Sequence, residues 1–188
     1  MRLIIFLLLI ASNGFAQDKS KITFIKKDNY GSVYITADTS KEEYNYLPTP
    51  KWNDELQETY IRHFYDTFTD TVVVPKHFNL NEELIQNWIP LYLYKDKLYA
   101  YAPSDWINSY SYSFSDSVLI NNSAEGPFPL FLDQYVVENE NTFRFHIIDA
   151  AMDFHIRIKI IDRSKSLTLW EFEYDNGGRR FQYFTSAK

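Results

Sequence analysis

The chain has no cysteine. That excludes disulfides, thiolate nucleophiles, cysteine-ligated zinc and lipid attachment through an N-terminal cysteine. Glycine is scarce, at five residues. Neither a phosphate-cradling glycine loop nor a G-x-S-x-G nucleophile elbow is present. Positive charge is also short: 19 basic side chains face 25 acidic ones, for a net charge of −6. A clustered positive field is what nucleic acid binding requires, so nucleic acid is excluded as an expected partner. Long apolar runs are missing as well. The one run, Leu3 to Ile10, is too short to cross a bilayer as a helix, and none later approaches the roughly 20 residues needed.

That run belongs to a recognisable leader. Arg2, the apolar stretch and the small-residue segment "ASNGFA" before Gln17 have the three parts of a secretory signal peptide, with cleavage after Ala16. The expectation is export to the periplasm or the extracellular space, with residues 17–188 forming one domain. About 170 residues suffice to bury close to 70% of the unfolded surface in a single core.

What is abundant is aromatic: 18% of residues, including 15 Tyr and 15 Phe. These types suit a half-buried pleated surface and move the expectation toward sheet. "KITFIKK" and "GSVYITA" read as two strands around the turn "DNYG", and residues 37–51 read as loop. Leu56, Tyr60, Ile61, Phe64 and Phe68 recur at helical spacing behind an Asn53 cap, predicting a helix over 54–67. "TVVVP" reads as a short strand, and Asn81 to Trp88 as a second short helix ended by Pro90.

From Leu91 onward alternation dominates, so every second side chain is expected to turn inward, with the polar ones between them left to meet solvent. A turn at Asp96 and Lys97 would set Tyr94 opposite Tyr99 and Tyr92 opposite Tyr101, giving a four-tyrosine face. "YSYSF" places Tyr110, Tyr112 and Phe114 on one face and serines on the other. In residues 142–160 a loop at Ala150 and Ala151 sets His146 opposite His155 and Arg144 opposite Arg157. The next connection, at Arg163 to Lys165, sets His155 opposite Glu173 and Arg157 opposite Glu171. A two-residue turn at Asn176 and Gly177 then sets Glu173 opposite Arg180 and Phe172 opposite Phe181. Together these put Arg144, His146, His155, Arg157, Glu171, Glu173, Arg180 and Gln182 on one polar outer face.

His146, His155 and Glu173 could in principle hold zinc or iron. The flanking Arg144 and Arg157 would repel a divalent cation, so the expectation is a salt-bridged surface and no metal. The carboxylate pairs Asp149/Asp153 and Glu171/Glu173 read as a turn and a solvated strand face rather than a glycosidase pair. "NNS" at 121–123 matches a glycosylation sequon and would imply exposure.

The expected fold is mainly β, an antiparallel barrel or closed sandwich of about eight to ten strands with one or two short helices around 54–88. It is lipocalin-like in a loose architectural sense only, because the N-terminal G-x-W pattern is absent. The expected function is an exported, non-enzymatic binding module without cofactor or catalytic residues. It would hold a small apolar or amphipathic ligand against Trp88, Trp106, Tyr110, Tyr112, Trp170 and Phe172. One alternative is a periplasmic or cell-surface interaction or inhibitor module that meets another protein through an exposed tyrosine-rich face. An outer-membrane β-barrel or a hydrolase ranks below both.

Overall fold

The computed structural model describes residues 2–6, 23–28, 31–36, 59, 62–63, 76–103, 110–123, 126–148 and 153–186. Twelve strands form one sheet: β1 (Arg2–Phe6), β2 (Thr23–Asp28), β3 (Gly31–Thr36), β4 (Asn87–Tyr94), β5 (Lys97–Pro103), β6 (Tyr110–Phe114), β7 (Val118–Ser123), β8 (Gly126–Asn139), β9 (Thr142–Ile148), β10 (Asp153–Asp162), β11 (Leu167–Tyr174) and β12 (Arg179–Ser186). Strand β12 returns to pair with β4, so β4 and β6 to β12 close into an eight-stranded antiparallel barrel. Of the barrel and the closed sandwich that the alternation left open, the barrel is the fold observed.

Strand β4 is where barrel and extension part. Its Asn87 and Trp88 pair with β6, whereas Leu91 to Tyr94 pair with β5. Pro90 stands between the two pairings. A proline brings no N–H to a ladder, so it suits the point where a strand changes neighbour. Beyond β5 the sheet continues through β1, β3 and β2. The expected β2–β3 hairpin is present. Residues 2–6, read in the sequence as part of a leader, pair with β3 and β5 and with none of the eight barrel strands.

Inward positions carry the core. Phe143, Phe145 and Ile147 of β9, Phe154, Ile156 and Ile158 of β10, and Trp170 and Phe172 of β11 are all buried. Alternation makes this automatic once the register is set. The two central registers are those the sequence predicts: His155 pairs with His146 and with Glu173, and Arg157 with Arg144 and with Glu171. In β8 a bulge at Asp133 inserts one residue, so that Leu132 and Tyr135 both turn inward despite their odd spacing.

Four expectations are corrected. The β4–β5 turn is centred on Lys95 and Asp96, both at positive φ, so Tyr92 faces Tyr99 and Tyr94 faces Lys97. The predicted tyrosine pairs are thus diagonal neighbours, and Tyr94 still meets Tyr99 edge-on at 6.3 Å. Residues 81–86 form successive tight turns, not a helix, because the strand ladder of β4 takes the chain from Asn87. The buried outward residues Ile89, Ser111, Ser113, Val118 and Ile120 show that the outer face of β4, β6 and β7 is covered, not solvated.

The fourth concerns the β11–β12 turn. A type I′ turn needs positive φ at both Asn176 and Gly177, and only Gly177 has it. Gly177 N–H donates to the Tyr174 carbonyl at 2.8 Å, and Tyr174 N–H donates to Gly178 O at 3.0 Å. The loop therefore holds three residues, a type I turn followed by a left-handed glycine. Glu173 pairs with Arg179, and Phe172 with Arg180. One extra loop residue inverts every side chain of β12: Arg180 and Gln182 point inward, and Phe181 outward at 58% exposure.

The described residues of the segment predicted helical over 54–67, namely Thr59, Arg62 and His63, are helical. The rest of that helix, the loop over 37–51, the strand at "TVVVP" and Trp106 lie outside the described residues.

A substitution tests this turn. A Cβ at Gly177 would meet no atom within 4 Å, so the cost of Gly177→Ala is that of the left-handed backbone alone. Urea unfolding of Gly177→Ala should show a loss of about 1–2 kcal/mol, with Gly177→Asn recovering part of it.

Candidate functional site

The barrel is closed at one end and polar at the other. At the closed end residues 76–86 cross the opening, burying Leu80 and Leu84. Phe78 N–H donates to the Asp116 carbonyl at 2.8 Å, and the Trp88 indole N–H donates to Leu84 O at 3.1 Å. A packed aromatic layer follows. Trp170 lies 4.4 Å from Phe184, 5.5 Å from Tyr112 and Phe114, and 5.9 Å from Trp88, centroid to centroid. Its own N–H donates to Thr168 Oγ1 at 2.9 Å. Eight strands leave an interior that side chains of this size can fill.

At the opposite end, the mouth, the inward residues include Tyr92, Tyr110, Asn121, Phe154, Tyr174, Arg180 and Gln182. Among the described residues, Arg180 is the only charged side chain at an inward position of the eight strands. Its Nη2 donates to the Tyr110 hydroxyl at 2.7 Å. Its guanidinium lies 5.6 Å from the ring centres of both Tyr110 and Phe172. The Tyr110 hydroxyl also hydrogen-bonds Tyr92. No described carboxylate forms an ion pair with Arg180, although its sequence neighbour Arg179 reaches both Glu171 and Glu173 on the outside. Arg180 remains exposed to solvent.

Burial dominates the electrostatics of this cluster. It pushes the Tyr112 phenol up to about 12, with Arg180 pulling it down and Tyr174 raising it. Tyr110 is raised further, first by burial and then by Tyr92, again against the pull of Arg180. Asn121 lies directly opposite Tyr112 on β7, and its Oδ1 is buried with no hydrogen-bond partner. An acceptor left in that state costs roughly 1–3 kcal/mol. Because Asn121 is the acceptor of the "NNS" match and is turned inward, the sequon does not mark an exposed glycan site.

Of the six wall residues expected from sequence, Trp88, Tyr112, Trp170 and Phe172 are buried in one cluster, and Tyr110 packs on its edge. Both described tryptophans have their N–H groups satisfied by the protein, so they form the floor. Tyr110 and Phe172 are the two that meet the arginine. Sequence reasoning missed Arg180, Gln182, Tyr92, Tyr174 and Asn121. The signal available for the first two was "DNGG", whose second glycine accommodates a longer loop than Asn-Gly requires.

The histidine pair of β9 and β10 lies on the outer face, as its register predicts. The rings are 4.8 Å apart. His146 Nδ1 is 3.0 Å from Oδ2 of Asp133, whose Oδ1 accepts from Lys76 Nζ. Arg144 faces Glu173 at 3.6 Å, and Arg157 bridges Glu138 and Glu171 at 3.1 Å. Among the described residues no group of three His, Asp or Glu side chains is arranged to hold a metal ion. Charges spaced along this face leave no apolar belt there. The tyrosine row of β4 and β5 is not an exposed face: Tyr99 is 5% exposed, Tyr92 turns into the barrel, and the Tyr101 side chain lies outside the described ones. Compared with known proteins, the chain matches no family model, no curated protein and no solved structure.

Two pH dependences follow. A phenol raised by folding contributes stability below the free tyrosine value near 10, and that stability is lost as the pH climbs toward 12. Denaturant stability should therefore fall across pH 10–12, and the fall should be shallower in Tyr112→Phe. Asp133 is held below the ordinary carboxylate range by hydrogen bonds from Lys76 and His146. Its contribution should be full above about pH 4 and vanish as the pH drops below that. The stability gap between wild type and Asp133→Asn should close in the same interval.

Proposed function

We propose that the protein is an exported, non-enzymatic binding module that takes a small amphipathic ligand at the mouth of its β-barrel. The observation that carries this reading is the composition of the mouth. A barrel built only for stability gains most by filling its last layer with apolar side chains. Here that layer holds a guanidinium and three tyrosine hydroxyls beside the Phe154 ring, above a floor of packed Trp, Tyr and Phe rings. Ring faces with a few convergent polar groups are the usual lining of a small-molecule site.

The reading needs no reacting group. The histidines stand on the outer face, away from the mouth, and the mouth contains no carboxylate or serine base pair among its described residues. Export rests on the leader. Cleavage after Ala16 removes β1, which pairs only with β3 and β5, and leaves the strands that enclose the mouth intact. Protein recovered from an exporting host should begin at Gln17 when its N-terminus is sequenced.

A thermal-shift panel of small amphipathic compounds tests ligand binding. A compound at one hundred times its Kd adds about 2.7 kcal/mol, a rise in Tm of roughly 5–10 °C for a chain of this size. The shift should disappear in Tyr110→Ala while near-ultraviolet circular dichroism confirms an intact Trp170 environment. A panel without a single stabilising compound would sink the reading.

A further inference from the structure

Resting on that reading, we infer that the ligand is a small organic monoanion, with a carboxylate or sulfonate head held by Arg180 and a flat apolar body lying against Tyr92, Tyr110, Tyr174 and Phe172. Two observations on the molecule lead there, and each bears on a different part of the ligand.

The first is charge. The chain carries an excess of acids, and on the outer face of β9 to β12 Arg144, Arg157 and Arg179 each meet a carboxylate. Arg180 is one residue away from Arg179, yet it is turned into the barrel and its described polar partner is a neutral hydroxyl. A guanidinium offers five N–H donors in a planar fork matched to a two-oxygen anion. The Tyr110 hydroxyl occupies one, which leaves a fork without a described counter-ion at a solvent-reachable mouth. A cationic ligand would be repelled there, and a neutral one would leave the charge unanswered.

The second is shape. The guanidinium stands over two ring faces, Tyr110 and Phe172, at 5.6 Å each. Below it, Tyr112, Trp170 and Phe184 are in mutual ring contact. The rim thus presents ring planes, and a flat body matches planes with the least loss of conformational freedom. A single arginine with hydroxyl neighbours also suits one negative charge better than the two of a phosphate monoester.

Isothermal titration of the mature exported protein with 2-naphthoate, 2-naphthalenemethanol and 2-naphthylmethylammonium compares one flat body with three heads. The naphthoate should bind roughly ten- to a hundredfold more tightly than the alcohol, and the ammonium more weakly than either. In Arg180→Gln the naphthoate should fall to the level of the alcohol, while the alcohol itself is unchanged. Arg179→Gln, altered one residue away on the outer face, should keep the wild-type order. Naphthalenesulfonate and naphthyl phosphate separate the head groups, with the sulfonate expected to follow the carboxylate and the phosphate to bind less well. If naphthoate and naphthalenemethanol bind wild type equally, or Arg180→Gln keeps the preference, the anion inference is overturned and the binding reading stands. Should none of the three bind, both are overturned together.

Discussion

Every inward and outward assignment in this protein depends on the four cross-strand pairs that join β12 to β4, from Tyr183 and Leu91 to Ser186 and Trp88. Without them the eight strands are an open, curling sheet with two unpaired edges. With them the sheet has an inside. Trp88 of β4 meets Trp170 of β11 at 5.9 Å because that pairing brings β4 round to the far side of β12. On the other side of the same pairs, Tyr183 packs with Leu91, Ala100 and Tyr34 in a small cluster outside the barrel. The closing strand thus has an apolar residue for each face, and both find a place.

The closure also explains why one loop residue matters so much. A side chain on β12 can only be in or out, and the three-residue turn at Asp175 to Gly177 decides which. It sends Arg179 to the salt-bridged surface and Arg180 to the tyrosine-lined mouth. Two adjacent arginines of the same chemistry consequently live in opposite environments, one answered by Glu171 and Glu173 and the other by a phenol. Whatever this barrel binds, the choice of turn gives its mouth a charge that the packed rings beneath it do not supply.

Legibility varied with the sharpness of the apolar pattern. Residues 142–174 alternate Phe, Ile and Trp with charge so strictly that any other register would bury arginines, and the predicted pairs of His146, His155 and Glu173 are those observed. The segment "RRFQYFTS" has aromatics at both parities, Phe181 and Tyr183 against Phe184, so the pattern could not choose a face and the Asn-Gly dipeptide suggested the wrong one. "NEELIQNW" has helical spacing, but its last two residues are claimed by the ladder to β6 and β12. Ser111 and Ser113 read as a wet face and are buried, because burial of an outer face depends on what packs over it and leaves no trace in local alternation.

By itself the sequence determined the class of fold, the two central registers, the outward histidine pair and the aromatic residues of the floor, since each follows from period-two patterning within one hairpin. Tertiary structure alone decided that the strands close into a barrel, that Asn121 is turned inward unpartnered, and that Arg180 faces the tyrosines. Those outcomes rest on contacts between residues far apart in the chain and on a single residue of loop length, and a strand's own alternation is the same whichever face the closure selects.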